Sequence, residues 1–470
     1  MYYKVFYLLI KWLFIKQGFI GCISLTLYVM LLTFFFGCSS KPFYNNFDCI
    51  VSEANSLRMS VTCETDDPSD VYVEYWKDDN GKHFYSLLSE QSLEHKFELI
   101  NLLPGEKYRL KLHGRIGENI VENDAGMYQT DTLPGNLPSF EVLNDQLNFD
   151  GYILLKTFLD SGAYLLINDK AQIVWYQSYD SIQLRPFEWS HDKHITSLKD
   201  KRTILEFDLY SKLYNQLDIT SIGCEMIAHH ELFRNENGDY VFLTKETERF
   251  DLRAWGGIRN DSIVGEGIVV MSPDGQIKWR WKIFDVVDPL KFDNFFKVRN
   301  DWGHANSIAY SKDGNFLVSF RDFNQVWKID SNNGQVIWRF GDGGDFEMKT
   351  KNEFIRQHTA HINRHGDLML FDNGSTKRGY STVKSFSIDE KNKTYVAGIS
   401  FKLGKDLFTA RMGSAYMMDD EHILVCSPMK KVKLLIYDTN GNELWKVRGS
   451  LASYRALYLN ADEIENPQPF

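Results

Sequence analysis

A two-part pattern recurs along the chain from about residue 141. In one part, a turn containing Gly or Asp leads into an apolar strand; the copies begin at Gly162, Arg202, Gly238, Gly314, Gly366 and Glu421. In the other part, a strand reaches an aromatic residue; the copies contain Trp175, Tyr214, Trp279, Trp338, Tyr395 and Trp445. Six copies at spacings of roughly 40 to 75 residues are typical of β-propeller blades with insertions on one face. The sequence therefore predicts a six-bladed β-propeller over residues 141–470, whose Trp and apolar side chains pack blade against blade.

Short alternating strands precede this pattern, at residues 58–62, 71–75 and 95–99. A Pro104-Gly105 turn then leads into a strand that contains Tyr108, which resembles the corner of fibronectin type III sandwiches. We expect a small β-sandwich over residues 38–140. Aromatic residues make up 14% of the chain, which also favours strands over helices. The predicted fold class is therefore all-β.

Residues 1–37 have the form of a secretory signal, with lysines before an uncharged apolar run that ends just before Cys38. The small Gly37 before Cys38 resembles the processing site of bacterial lipoproteins, although Phe35 stands where Leu is usual. We expect removal of residues 1–37, lipidation of Cys38 and membrane attachment through that lipid. The alternative is an uncleaved membrane anchor. Both interpretations place the body outside the cytoplasm, in the periplasm or at the cell surface.

The remaining cysteines give no metal-binding pattern. Cys49 and Cys63 flank a turn between two alternating runs, so the pair either forms a disulfide or stays reduced. Cys224 and Cys426 lie far apart, without the spacing of metal ligands, and we interpret them as buried apolar residues. The net charge of −10, without long runs of either sign, argues against a nucleic-acid partner.

Several polar residues occur next to predicted inner strands of successive blades. They are His230, His304, Asn306, Arg321 and His358. Loops that enter inner strands converge on the channel of a propeller, so residues far apart in sequence meet there. This recurrence is a stronger signal than any single histidine.

The motifs around these residues resemble the bacterial aryl-sulfate sulfotransferases. The resemblance rests on Asp301 through Ser307, Gly334 through Gly341, Gln357-His358-Thr359-Ala360 followed by residues 371–374, and residues 412–415. It implies a β-sandwich followed by a six-bladed propeller, with His358 as the transiently sulfurylated nucleophile. It further implies that His230, His304 and Arg321 support catalysis and that Asn306 binds substrate.

Two further histidines are placed by the same comparison. His229 is out of register and is interpreted as a local structural residue. His361 stands where the family pattern has an aromatic residue, and its role stays open.

The chemistry of sulfuryl transfer suits these residue types. A neutral histidine attacks sulfur, an arginine fork binds the sulfuryl oxygens, and further histidines exchange a proton with the phenol. The expected partners are a phenolic sulfate donor and a phenol acceptor. We expect no cofactor: residues 341–344 lack the lysine of a phosphate-binding loop, and Arg321 would repel a metal ion.

An alternative function belongs to a different class. Propellers host many unrelated functions, so the chain could be a non-catalytic lipoprotein that binds a glycan or a protein. The sequence leaves open whether the protein forms a homodimer.

Overall fold

The computed structural model describes residues 42–79, 81–157, 162–178, 186–220, 227–293, 295–428 and 431–470. The predicted signal peptide (residues 1–37), Cys22, Cys38 and Cys224 lie outside the described residues. Among the described residues, no helix is both long enough and apolar enough to cross a membrane.

The first six strands form a sandwich. They are β1 (Tyr44–Ser52), β2 (Asn55–Lys77), β3 (His83–Tyr85), β4 (Ser89–Leu99), β5 (Lys107–Ile116) and β6 (Asn119–Gln129). The long strand β2 joins the two layers: its first half pairs mainly with β1 and β4, and its second half pairs with β3 and β5. Apolar side chains from both halves share one core, among them Val61 and Tyr75. The Tyr108 hydroxyl accepts a hydrogen bond of 2.8 Å from the Leu103 N–H, as expected for the predicted tyrosine corner.

Cys49 and Cys63 lie on the neighbouring strands β1 and β2. Cys49 is paired with Val61 instead of Cys63, and both thiols are free in this described region. The β-hairpin is thus present, but the strand register does not place the two cysteines opposite each other.

The described strands after residue 139 form six sheets around a central channel, which confirms the predicted propeller. Blade I contains β31 (Ser453–Asn460), β8 (Gly151–Thr157), β9 (Ala163–Ile167) and β10 (Ile173–Ser178), and blade II contains β11 (Phe187–Trp189), β12 (His194–Leu198), β13 (Thr203–Asp208) and β14 (Leu213–Asp218). Blade III contains β15 (Ala228–Arg234), β16 (Tyr240–Phe250), β17 (Asp261–Met271) and β18 (Ile277–Lys282), and blade IV contains β19 (Ala305–Tyr310), β20 (Phe316–Phe320), β21 (Gln325–Ile329) and β22 (Val336–Gly341).

Two more blades complete the ring. Blade V contains β23 (His358–Ile362), β24 (Leu368–Asp372), β25 (Thr382–Asp389) and β26 (Thr394–Lys402), and blade VI contains β27 (Ser414–Met417), β28 (His422–Ser427), β29 (Lys433–Asp438), β30 (Glu443–Gly449) and β7 (Phe140–Asp145). Each blade is given from its innermost strand outward. Short helices are α1 (Phe295–Val298) and α2 (Ala461–Ile464), with 3-10 turns at Arg253–Trp255, Ile283–Asp285, Pro289–Lys291, Arg321–Phe323 and Lys405–Leu407.

The ring is closed by strands from both ends of the propeller sequence. The C-terminal strand β31 pairs with β8 as the innermost strand of blade I, and β7 pairs with β30 at the outer edge of blade VI. Antiparallel pairing at both places fixes the first blade to the last and leaves the ring without a seam.

The predicted aromatic strands are the outermost core strands of the six blades. Their tryptophans pack on the next blade as expected: the Trp175 indole donates to the Leu209 carbonyl at 2.7 Å, and that of Trp445 donates to the Asp169 carbonyl at 2.8 Å. The other part of the pattern, a turn followed by an apolar strand, was interpreted as the inner strand of each blade. That interpretation is wrong, because none of these strands is the innermost one. In blades I and II it marks the third strands β9 and β13, and in the other blades it marks the second strand.

Candidate active site

The innermost strands bring the predicted site residues together at one end of the channel. His230 lies in β15, His304 immediately precedes β19, and His358 is the first residue of β23. Arg321 follows β20, and its N–H donates to the His304 carbonyl at 3.1 Å. The rings of His230 and His304 have centroids 5.0 Å apart.

Irregular backbone near the start of these strands determines where the side chains point. The pairing register shifts between His229 and Leu232 in β15 and between His358 and His361 in β23. His230 and His304 adopt left-handed φ values of 54° and 48°. Such bulges re-aim side chains, and non-glycine residues rarely adopt this conformation outside constrained sites.

The His358 ring has one proton position that the surrounding atoms define. Its Nδ1 lies 2.6 Å from the Asn373 Oδ1 and 3.1 Å from the Arg356 carbonyl oxygen, both of which are acceptors. Its Nε2 lies 3.1 Å from the backbone N–H of Met412, which is a donor. The proton of a neutral ring therefore lies on Nδ1, and the lone pair lies on Nε2.

Asn373 also holds the loop that faces His358. Its amide group donates to the carbonyls of Thr409 and Met412 at 3.0 and 2.7 Å. Gly413, which follows Met412, has φ 101°, and a Cβ there would lie 2.8 Å from the Phe371 ring. Glycine at this position therefore lets the Met412 N–H approach His358.

Burial keeps His358 neutral. The residue is 2% exposed. Burial and the positive charge of Arg321 lower its pKa to about 3, although the hydrogen bond to Asn373 acts in the opposite direction. At neutral pH the Nε2 lone pair is consequently available without removal of a proton.

Arg321 places a cation beside this neutral ring. Burial lowers its pKa, although Asp322 opposes the change by accepting from its Nη1 at 2.7 Å. The Nε atom of Arg321 is buried and has no hydrogen-bond partner within the described residues. The side chain thus retains a donor for an anionic group.

A chain of charged and polar side chains connects the two supporting histidines. From His230, Nδ1 lies 2.6 Å from Nδ1 of His229, whose Nε2 approaches Oε2 of Glu266 at 3.0 Å. Glu266 accepts from Lys245 at 2.6 Å, and Lys245 also contacts Asp301. Asp301 in turn lies 2.5 Å from Nδ1 of His304.

The surrounding charges give the two histidines different properties. The pKa of His230 lies well below its ordinary value because of burial and the nearby rings of His229 and His304. Burial alone would raise the pKa of Asp301, but the His304 ring and the Lys245 ammonium outweigh burial and hold it below its ordinary value. A carboxylate therefore faces the ring of His304, whereas His230 has no such partner among the described residues and remains neutral.

Comparison with known proteins identifies the family of the chain. The family model for arylsulfotransferase (ASST) matches residues 141–457, which cover the propeller. The chain belongs to the arylsulfotransferase family. Family membership indicates a sulfotransferase that acts on small molecules.

Solved structures similar to this arylsulfotransferase have low sequence identity to it. A protein of unknown function from Bacteroides caccae is 10% identical with a TM-score of 0.44, over 66% of this chain and 99% of its own. A protein of unknown function from Bacteroides thetaiotaomicron is 11% identical with a TM-score of 0.36, over 88% of this chain and 98% of its own. Virginiamycin B lyase from Staphylococcus aureus is 10% identical with a TM-score of 0.34, over 66% of this chain and 99% of its own. No curated protein sequence matches the chain.

Asn306 is fully buried, and its contacts show how it acts on the site of the arylsulfotransferase. Its Nδ2 donates to the Gln357 carbonyl at 2.7 Å, directly before His358. The Gln357 side chain donates to Ser319 at 3.0 Å and to the Gln325 carbonyl at 2.9 Å. In this arrangement Asn306 fixes the backbone that carries His358.

Sequence reasoning missed several residues of the arylsulfotransferase site. His229 is part of the chain of contacts to His230, so its interpretation as a purely local residue overlooked this contact. Glu266 and Lys245 lie in β17 and β16, and no motif marks them. Asp301 and Asn373 lie within the motifs that resemble the family. The position of Asp301, three residues before His304, was the one sequence signal that pointed to a contact between the two side chains.

His361 lies farther along β23, away from the His358 end of the strand. Its Nδ1 lies 2.8 Å from the Thr359 carbonyl, and its ring centroid lies 4.9 Å from that of Tyr416. Burial lowers its pKa. Among the described residues, no group of three His, Cys, Asp or Glu side chains is arranged to hold a metal ion.

Proposed function

We propose that the protein transfers a sulfuryl group from a phenolic sulfate ester to a phenol in two displacements, through a sulfohistidine on His358. The observation that carries this proposal is the hydrogen bond of 2.6 Å from His358 to Asn373 together with the low pKa of the ring. These features supply a neutral nucleophile with its lone pair on Nε2. A nucleotide sulfate donor is not required.

In the first displacement, Nε2 of His358 exchanges its contact with the Met412 N–H for the sulfur atom. The N–S bond forms, the bond between sulfur and the aryl oxygen breaks, and that oxygen leaves with the electron pair. His304, whose Nδ1 faces Asp301, is the acid that gives a proton to the leaving oxygen. The released Met412 N–H and the Arg321 guanidinium are donors for the sulfuryl oxygens.

In the second displacement, the acceptor phenol gives its proton to His304. The phenol oxygen attacks sulfur, the N–S bond breaks, and the electron pair returns to Nε2 of His358. His230 stays neutral. Its Nδ1 is bonded to His229, and its ring packs beside that of His304, with the centroids 5.0 Å apart, so it positions the ring that takes the proton.

The direct test is the mass of the intact protein after incubation with nitrophenyl sulfate in the absence of acceptor. We expect a gain of one sulfuryl group that maps to His358, and no gain in His358→Asn. His365→Asn is a matched control, because His365 lies in a turn of the same blade and is half-exposed. Transfer activity that persists in His358→Asn would show that the nucleophile is wrongly assigned. No mass gain in the wild type, with saturable binding of a glycan, would favour a binding protein.

We also propose that the enzyme works outside the cytoplasm as a membrane-attached lipoprotein. Support comes from the sequence alone: an apolar run without charge ends at Gly37, directly before Cys38. Phenolic substrates would then reach the channel from the periplasm or from the cell exterior.

A further inference from the structure

A cavity opens at the end of the central channel opposite the three histidines. It has a volume of about 330 Å³ and is lined by residues from the later part of the innermost strands, such as Phe233 in β15, Tyr310 in β19 and His361 in β23. His230, His304 and His358 lie at or before the beginning of those strands. The cavity therefore opens away from these histidines, and its lining reaches Glu231 and Thr359, which directly follow His230 and His358.

Both arginines of this cavity are neutralised by carboxylates of the protein. Arg455 is 1% exposed, and its guanidinium lies 2.6 and 3.1 Å from the two carboxylate oxygens of Glu231. Arg234 lies 2.7 Å from Asp192 and 2.8 Å from Glu206. Neither arginine is available as a full positive charge for an anionic ligand.

Among the described residues, Glu188 is the carboxylate of the cavity that has no arginine of its own as a partner. Its nearest cation is the Nη1 of Arg455 at 3.9 Å, which is already bonded to Glu231. Burial and the charge of Glu231 raise the pKa of Glu188 to about 8, and Arg455 offsets this only in part. The side chain is 32% exposed, so a ligand reaches it from solvent.

The wall of the cavity combines aromatic faces with an unused hydroxyl group. Trp189, Phe233, Tyr310 and Tyr416 come from four different innermost strands and are half-buried. The Thr359 side chain, 3% exposed, also lines the cavity, and its hydroxyl has no hydrogen-bond partner in the described part of the chain. Aromatic faces and a carboxylate together are the usual recognition elements for organic cations.

We propose that this cavity binds a small organic cation, namely a protonated primary amine on a compact aromatic or aliphatic body. Glu188 supplies the counter-charge, the Thr359 hydroxyl accepts a hydrogen bond, and the aromatic side chains contact the apolar body. The proposal does not depend on sulfuryl transfer, because none of these residues takes part in that reaction.

The test is calorimetric titration of the full-length protein with benzylamine, benzyl alcohol and benzoate, which share a ring and differ in charge. At about pH 8.5 both Glu188 and the amine are charged, so we expect saturable binding of benzylamine and at least about tenfold weaker binding of the other two. Glu188→Gln should weaken benzylamine binding by at least about tenfold. Glu236→Gln, in an exposed turn of blade III, is the matched control and should bind as the wild type does.

Three results would overturn the proposal. They are equal affinity for the amine, the alcohol and the acid; no binding of benzylamine at millimolar concentration; and benzylamine binding that Glu188→Gln leaves unchanged. The comparison of the three ligands uses the wild-type protein, so it decides the question even when Glu188→Gln fails to fold.

Discussion

The pH dependence of the first half-reaction tests the state of His358 directly. Its pKa of about 3 compares with 6.5 for an unperturbed histidine, a difference that corresponds to about 5 kcal/mol against the charged ring. Because the folded-state pKa is lowered, the nucleophile stays neutral at every pH above about 3. It loses activity only as the pH falls through that value.

The magnitude follows from the fraction of neutral ring. At about pH 5, a histidine with the ordinary pKa would be about 3% neutral, so its rate would fall about 30-fold between about pH 7.5 and pH 5. With a pKa of about 3 the ring is still about 99% neutral at that pH, so the rate should change less than about twofold.

The assay is a rapid-quench measurement of nitrophenol release from nitrophenyl sulfate without acceptor. Nitrophenol leaves readily as the anion, so protonation of the leaving group by His304 has little influence on this step. Activity recovered after return to neutral pH is the control for acid unfolding. A fall in rate with a midpoint between about pH 6 and 7 would refute the reasoning, because it would show that His358 titrates as an exposed histidine does.

Substitutions at three further positions test other parts of the proposals. His229→Gln keeps a polar group near Glu266 but loses the contact with His230, so it should lower kcat about tenfold to a hundredfold with little change in KM. His229→Asn keeps the contact with His230, so its kcat should fall less. Arg321→Lys keeps the charge but loses the planar fork, and should lower kcat/KM for the aryl sulfate at least about tenfold. Cys38→Ala should abolish incorporation of a labelled fatty acid and release the protein from the membrane fraction, as judged by fractionation.

Each substitution has a matched control. His422→Gln removes a histidine bonded to Asp419 in an outer turn, and Arg448→Lys changes an exposed arginine paired with Glu141. Both should leave steady-state kinetics unchanged, and Ser39→Ala should still be lipidated. If His229→Asn were as slow as His229→Gln, the contact with His230 would not be the one that matters. Fatty-acid labelling that persists in Cys38→Ala would place the lipid elsewhere.

The six blades follow from the sequence because the outermost core strands repeat a strong signal. Trp175, Trp338 and Trp445 are each the third residue of their strand and are buried. The positions of the strands within a blade were predicted less well. The sequences before Ala163 and Thr203 resemble those before Phe316 and Leu368, although the strands that follow them are third strands instead of second strands. The innermost strands are short, polar and bulged, so they lack the alternation by which strands are predicted.

Which strands close the ring was decided by tertiary structure. The pairing of β31 with β8 joins residues about three hundred positions apart, and its alternating side chains carry no information about the partner. The same limit applies to Cys49 and Cys63, whose register depends on a bulge in β1 between Asn45 and Asp48.

The sequence by itself determined that this protein is an all-β propeller, and it predicted that His230, His304, Arg321 and His358 belong to one site, because repeats and motifs are local signals. The tertiary structure decided what each side chain does there. The proton on Nδ1 of His358 is set by Asn373, which directly follows the next strand, β24. His230 and His304 differ through their contacts with His229 and Asp301. Protonation depends on burial and on atoms within a few ångströms, and those are fixed only when the blades meet at the channel.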